Sequence, residues 1–135
     1  MIISPVISSS TTVVPLYSMK IAAGPPSPNE DSIEDRIDLT EYLIPRPEKS
    51  FLIRVEGESM IDAGVFPDDL LVVERADEAQ NGDVVVALIG GRFTVKRFQR
   101  HGDRLRLVSA NKERPESRHE DFSVWGIVRY CIHKF

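Results

Sequence analysis

A Gly-Gly dipeptide between two strand-like runs is the strongest constraint on the fold of this chain. Asp83–Ile89 and Arg92–Phe98 are both rich in β-branched or aromatic residues, and only Gly90-Gly91 separates them. A two-residue Gly-Gly loop between two such runs is a strong signal for a tight hairpin of antiparallel strands. The pattern therefore predicts a β-hairpin, and its register places Lys96 opposite Val85.

Further short runs show the same strand pattern elsewhere in the chain. They are Phe51–Val55, Leu70–Glu74, a stretch with Leu105 and Leu107 alternating with arginines, and Val124–Phe135. The sequence between them contains no long amphipathic helix. Six short strands at close spacing are typical of a compact antiparallel arrangement. The predicted fold class is therefore mostly β.

Residues 1–32 differ in composition from the rest of the chain. Residues 1–32 contain five of the nine prolines and a Ser/Thr cluster, so we expect a flexible, extended N-terminal arm. Residues 33–50 are predicted to form a short helical or irregular connector. Its apolar residues Ile33, Ile37, Leu39 and Leu43 allow one or two helical turns before the prolines at 45 and 47. Residues 51–135 form the predicted β domain.

The charge and cysteine content exclude several classes of function. A net charge of −4 and a pI of about 5.4 argue against direct, sequence-specific DNA binding by this chain. The lone Cys131 cannot form an internal disulfide. No apolar stretch is long enough to cross a membrane, and the first basic residue follows the N-terminal apolar segment, whereas a secretory signal has the reverse order. We expect a cytoplasmic protein that does not bind membranes.

Ser59, in the sequence GESM, is the candidate nucleophile, because core packing gives no reason for a serine after an apolar run. A histidine base is poorly supported, since His101 and His119 lie in polar stretches. His133 follows Cys131 by two residues, but the chain has no second pair that could complete four metal ligands, so no metal is predicted.

Lys96 is the one lysine embedded in an apolar strand. A buried lysine is driven towards its neutral form, and a neutral amine can take the proton of a serine hydroxyl. Val85 opposite, with Thr94 and Phe98 on the same face, would supply that environment. The alternative is an ordinary exposed strand lysine. The strand pattern alone leaves both open.

The segments SMIDAGVFPDDLLVVE and GDVVVALIGGRFTVKRF resemble the LexA-type self-cleaving proteins with a Ser–Lys dyad. Among these proteins, the chain is most similar to the UmuD accessory subunits of bacterial translesion DNA polymerases. The resemblance implies a LexA-type C-terminal peptidase fold without a cofactor. It also implies that Ser59 is the nucleophile and Lys96 the general base, with the backbone N–H groups of Glu58 and Ser59 binding the oxyanion.

The resemblance also implies a cleavage site and a set of partners. The family cuts between a small residue and glycine upstream of the domain, which here is the Ala23-Gly24 bond. Ala63-Gly64 repeats the dipeptide, but it lies within the predicted fold. The trimmed chain would form a homodimer and bind a UmuC-like polymerase catalytic subunit in the SOS response. A RecA–single-stranded-DNA filament would promote cleavage.

Two features depart from the family pattern. Relatives commonly have Gly-Asp where this chain has Asp68-Asp69, and the helix-turn-helix of the repressor members has no counterpart in the proline-rich arm. Two other functions fit parts of the sequence. One is a non-catalytic β-barrel interaction module, and the other is a membrane signal peptidase, which shares the Ser–Lys chemistry but needs an anchor helix.

Overall fold

The computed structural model describes residues 3–5, 12–18, 33–113, 118–119 and 121–135, with the backbone alone for 3–5 and 118–119. The chain divides into two compact units. One comprises Met1–Val6 and Arg46–Phe135, and the other comprises Ile7–Pro45. Over the described ranges, none of the helices has the length and apolarity that crossing a bilayer requires.

The described residues form ten strands and one α-helix. In chain order these are β1 (Ile3–Pro5), β2 (Val13–Tyr17), β3 (Ile33–Asp38), α1 (Leu39–Leu43), β4 (Ser50–Arg54), β5 (Leu70–Arg75), β6 (Val84–Ile89), β7 (Arg92–His101), β8 (Arg104–Val108), β9 (Arg118–His119) and β10 (Ser123–Ile132). The larger unit contains one sheet with the order β1-β4-β5-β10-β6-β7-β8-β9. All neighbouring strands are antiparallel, which confirms the predicted mostly-β class.

The hairpin predicted from Gly90-Gly91 is present with the expected register. Gly90 has φ 56° and Gly91 has φ 78°, the left-handed backbone that a two-residue hairpin loop needs. Lys96 on β7 pairs with Val85 on β6. Local turn chemistry therefore determines which residue faces the candidate base.

The core of the larger unit consists of two clusters of buried apolar side chains. The first contains Ile53, Val55, Met60, Val65, Leu71, Val73, Val86 and Val95. The second contains Val85, Ala87, Phe98, Leu107 and Ile127. Successive residues of β6 enter different clusters, as expected for a strand that is buried on both faces.

Gly126 on β10 lies where the sheet leaves no space for a side chain. A Cβ atom there would lie 2.6 Å from Cγ1 of Val73 and 2.8 Å from the carbonyl oxygen of Glu74. Val73 is fully buried and Glu74 contributes backbone, so neither can move aside easily. We expect Gly126→Ala to lower the free energy of unfolding by about 3 kcal/mol in urea denaturation.

Gly102 provides the control for that substitution. A Cβ atom at Gly102 would meet nothing within 4 Å, but its φ is +60°. Gly102→Ala should therefore cost only the strain of a left-handed backbone, about 1 kcal/mol. An equal or smaller loss for Gly126→Ala would show that β10 relaxes around the new methyl group.

The smaller unit corrects the prediction for residues 33–43. Only Leu39–Leu43 is helical, and Asp38 caps that helix by accepting hydrogen bonds from the N–H groups of Thr40 (3.0 Å) and Glu41 (3.4 Å). Ile33–Asp38 is instead a strand paired with Val13–Tyr17. Pairing with a distant segment outweighed the local helical spacing. The division of the chain at residues 32 and 50 stays a prediction.

The Asp68-Asp69 departure occurs in a tight turn over residues 66–69. The Asp69 N–H donates to the Phe66 carbonyl at 3.1 Å, Pro67 is the second residue of the turn, and Asp68 has φ 72°. These are the features of a type II turn, whose third position favours glycine and tolerates aspartate less well. Asp68 therefore adopts the left-handed backbone at the position where relatives have glycine, and the type II turn over residues 66–69 still forms.

Candidate active site

Ser59 lies in a turn held between β4 and the 3₁₀-helix Ile61–Ala63. Gly57, two residues earlier, has φ 84°, a left-handed backbone that lets the chain reverse at this point. The next residue, Met60, is only 2% exposed and belongs to the first core cluster. The half-buried serine is therefore positioned by an anchored neighbour rather than by its own packing.

The segment that follows β8 fixes the backbone on both sides of Ser59. The Ala110 N–H donates to the Ser59 carbonyl at 2.7 Å, and the Asp62 N–H donates to the Ala110 carbonyl at 2.8 Å. The Asn111 side chain donates from Nδ2 to the Glu58 carbonyl at 2.7 Å. These contacts join residues far apart in the sequence and orient the turn.

Asn111 is the positioning residue that the sequence did not reveal. It is 6% exposed, and its Oδ1 accepts a hydrogen bond from the Glu113 N–H at 3.0 Å. Within the sequence SANKE, Asn111 has the pattern of an ordinary loop residue. Its main hydrogen-bond partner, the Glu58 carbonyl, lies more than fifty positions away in the sequence. No local pattern could have identified it.

A cleft of about 200 Å³ separates the Ser59 turn from β7. One side consists of Val55, Glu56, Gly57, Ser59 and Met60, and the other of Phe93, Thr94 and Val95. The Phe93 ring packs edge-on against Trp125, with 5.5 Å between centroids. The structure thus places Ser59 across a narrow cleft from the three residues that precede Lys96.

Lys96 directly follows the cleft-lining residues along β7, but it is not itself one of the residues that line the cleft. Side chains two apart on a strand share a face, so Lys96 follows Thr94, which lines the cleft, and precedes Phe98, which is 2% exposed. Lys96 itself is 7% exposed, and burial lowers the pKa of its ammonium below the usual 10.5. Among the described residues, no carboxylate forms an ion pair with Lys96 to oppose that shift.

His101, His133 and Cys131, the other reactive side chains that the structure describes, have partners outside the Ser59 cleft. His101 contacts Arg106 at 3.0 Å, while Nδ1 of His133 lies 2.6 Å from Oδ1 of Asp69. The Cys131 thiol donates to the same carboxylate at 3.3 Å, and burial together with that carboxylate raises its pKa to about 11. A thiol that stays protonated at neutral pH is a poor nucleophile. The His119 side chain lies outside the described residues.

The Ser59 turn also contains a backbone donor with no hydrogen-bond acceptor among the described residues. No hydrogen bond from the Ser59 N–H to an acceptor is found in the described part of the chain. A backbone donor beside a nucleophile is the group that an oxyanion needs. The assignment of the Glu58 and Ser59 N–H groups as oxyanion donors stays a prediction.

The predicted cleavage site, Ala23 and Gly24, lies outside the described residues. Along the sequence it falls between β2 and β3, which pair with each other. The second Ala-Gly dipeptide is fully described. Ala63 ends a 3₁₀-helix, Gly64 has φ 81°, and their N–H groups donate to the carbonyls of Met60 and Ile61 at 3.0 Å each. A bond folded in this way cannot be presented as an extended substrate.

Comparison with known proteins shows similarity over most of the chain. A family model described as Peptidase S24-like matches residues 15–129. Protein ImpA of Salmonella typhimurium is 44% identical over 123 residues, or 90% of this chain and 85% of that protein. Protein MucA of Salmonella typhimurium is 35% identical over 123 residues, with 88% and 84% covered. The LexA repressor of Caldicellulosiruptor saccharolyticus is 44% identical over 115 residues, which is 85% of this chain but 56% of the repressor.

Proposed function

Because the chain belongs to the Peptidase S24-like family, we propose that it is a serine peptidase that cuts its own Ala23-Gly24 bond with a Ser59–Lys96 dyad. The observation that carries the proposal is the buried Lys96, which has no carboxylate partner among the described residues and follows the strand residues facing Ser59. Structural lysines are rarely buried without a counter-ion, because desolvating an ammonium is costly. A catalytic base needs that environment.

The reaction begins with proton transfer from Ser59 to neutral Lys96. The Ser59 Oγ then bonds to the Ala23 carbonyl carbon, and the carbonyl oxygen becomes an oxyanion that the N–H groups of Glu58 and Ser59 stabilise. When the C–N bond to Gly24 breaks, the Lys96 ammonium returns its proton to the departing amine. A water molecule, deprotonated by Lys96, hydrolyses the acyl-enzyme and restores Ser59.

The size of the cleft supports the choice of the Ala23-Gly24 bond. Its volume of about 200 Å³ admits small side chains, and the sequence around the bond, Ala22-Ala23-Gly24, has no large ones. The following Pro25 and Pro26 favour an extended chain, the conformation in which a substrate can lie along a strand. The second Ala-Gly bond, at the end of the 3₁₀-helix Ile61–Ala63, is held in a folded backbone and cannot lie along a strand in this way.

The relatives and the sequence resemblance support a role in the SOS response. In this proposal the product, residues 24–135, forms a homodimer in the bacterial cytoplasm. It then serves as the accessory subunit of an error-prone translesion polymerase and binds a UmuC-like catalytic subunit. A RecA–single-stranded-DNA filament activates cleavage by holding the arm in the cleft, which excludes water from Lys96 and lowers its pKa further.

Intact mass spectrometry tests the self-cleavage. Purified protein held at alkaline pH should lose residues 1–23 and leave a single product that begins at Gly24, because a deprotonated lysine needs no activating partner. An unchanged mass over days would favour the non-catalytic β-barrel module, with Ser59 as a turn serine. A product with another N-terminus would contradict the assignment of the Ala23-Gly24 bond.

Asn111→Ala should slow self-cleavage roughly 10-fold, because the Glu58 carbonyl loses the side chain that positions the Ser59 turn. The dependence of the rate on pH should keep its shape, since Lys96 is not touched. Asn81→Ala is the control: its Oδ1 accepts the Arg100 N–H at 2.8 Å, away from the cleft, and the rate should not change. Equal rates for wild type and Asn111→Ala would remove this residue from the site.

A further inference from the structure

One edge of the large sheet is covered by a strand that lies upstream of the proposed cleavage bond. β1 pairs with β4 in the register Ile3↔Ile53, Ser4↔Leu52 and Pro5↔Phe51. In the other unit, β2 pairs with β3. Both N-terminal strands precede Ala23-Gly24, and both of their partners follow it. The cut would therefore break the covalent connection between each of these strands and the strand it covers.

The proline in β1 identifies which backbone groups of β4 are covered. Pro5 has no N–H, so a pair that exchanges two hydrogen bonds cannot form at Pro5–Phe51. Hydrogen-bonded and non-hydrogen-bonded pairs alternate in antiparallel ladders, which places the two-bond pair at Ser4–Leu52. The N–H and C=O of Leu52 therefore point to β1 and become free when β1 leaves.

We propose, on the basis of the proposed function, that self-cleavage opens the β4 edge as a docking site for an extended segment of a partner protein. Of the described residues in the segment 1–23, only the three of β1 and the five of β2 pair with strands that follow the cut, and strands this short make few hydrogen bonds. Loss of the covalent tether also makes their pairing bimolecular, so the fragment dissociates by dilution. An incoming strand then adds antiparallel to β4 through Leu52.

The structure favours a short partner segment over a second copy of this chain. Two β4 strands paired about Leu52 would also need hydrogen bonds between Ser50 and Arg54 of opposite copies. The Ser50 N–H, on the same edge as that of Leu52, already donates to the Pro47 carbonyl, and the Ser50 hydroxyl donates to the Arg46 carbonyl at 2.6 Å. The open edge is therefore only about three residues long. Its present occupant, Ile-Ser-Pro, indicates an uncharged segment.

Hydrogen exchange of the Leu52 amide tests the proposal without requiring self-cleavage. Three proteins are compared: full-length Ser59→Ala, the same chain with Ser4→Pro, and residues 24–135 expressed directly. We expect the Leu52 amide to exchange at least tenfold faster in the second and third proteins. If residues 24–135 do not fold alone, the comparison of full-length Ser59→Ala with its Ser4→Pro variant still decides the test. Equal protection in Ser59→Ala and its Ser4→Pro variant would overturn the proposal.

A synthetic peptide of residues 1–8 tests the docking itself. It should restore protection of Leu52 in the opened proteins and leave full-length Ser59→Ala unchanged. The same peptide methylated on the Ser4 nitrogen keeps every side chain but lacks the donor, and it should bind at least tenfold more weakly. Equal binding of the two peptides would overturn strand addition. Protection of the Leu52 amide in residues 24–135 is also measured without peptide at several protein concentrations. Protection that increases with concentration would show that a second copy of the chain covers β4, and it would overturn the proposal of a partner segment.

Discussion

Ser59→Ala is expected to slow self-cleavage at Ala23-Gly24 by at least ~1,000-fold, because the alanine methyl group cannot attack a carbonyl. Stability should change by no more than about 0.5 kcal/mol, since Ser59 is half-buried in a turn whose backbone contacts are untouched. The measurement is the fraction of intact chain against time at alkaline pH by mass spectrometry, with urea denaturation of the same samples.

Ser123→Ala is the matched control, because Ser123 is exposed at the start of β10 and lies outside the Ser59 cleft. That variant should cut at the wild-type rate. Continued trimming of the purified Ser59→Ala protein at Ala23-Gly24 would mean that another nucleophile or a contaminating protease cuts the bond.

Lys96→Arg has the second large expected effect. Arginine keeps the positive charge and most of the side-chain volume, but its guanidinium stays protonated at any pH at which the protein is folded. It cannot accept the Ser59 proton, so self-cleavage should fall by at least ~1,000-fold at every pH up to 10. Lys134→Arg, at the exposed C-terminus, should leave the rate unchanged.

The free energy of unfolding tests the desolvation of the Lys96 ammonium independently of self-cleavage. Because burial lowers the pKa of Lys96 in the folded state, the ammonium destabilises the fold below the pKa of the unfolded chain. Lys96→Met should therefore raise the free energy of unfolding at neutral pH, and the gain should shrink as the pH approaches 10.5. A gain that is the same at pH 7 and pH 10 would show that Lys96 is not desolvated.

The parts of the fold that follow from local chemistry were predictable. Gly90-Gly91 determined a two-residue loop, and that loop alone set Lys96 opposite Val85. Burial of Lys96 followed, because Val85 opposite it and Phe98 on the same face of β7 both belong to the second core cluster. For the same reason the candidate base could be selected from the sequence, whereas its lowered pKa required the packed structure.

Pairing between distant segments was not predictable. Ile33 and Ile37 have helical spacing, yet they pair with Tyr17 and Val14, and nothing near them in the sequence indicates those partners. The hydrogen bond from Asn111 to Glu58 has the same character, since it depends on how the loop after β8 folds over the Ser59 turn. Tertiary contacts of this kind override local propensity.

The dependence of the self-cleavage rate on pH reports directly on the group that accepts the Ser59 proton. We expect the wild-type rate constant, measured by intact mass from pH 6 to 11, to rise by up to ~10-fold per pH unit while Lys96 is protonated. It should then level off below pH 10.5, because burial lowers the pKa of Lys96. A rate constant that is equal at pH 6 and pH 10, or that levels off near the ~6.5 of a histidine, would contradict Lys96 as the base.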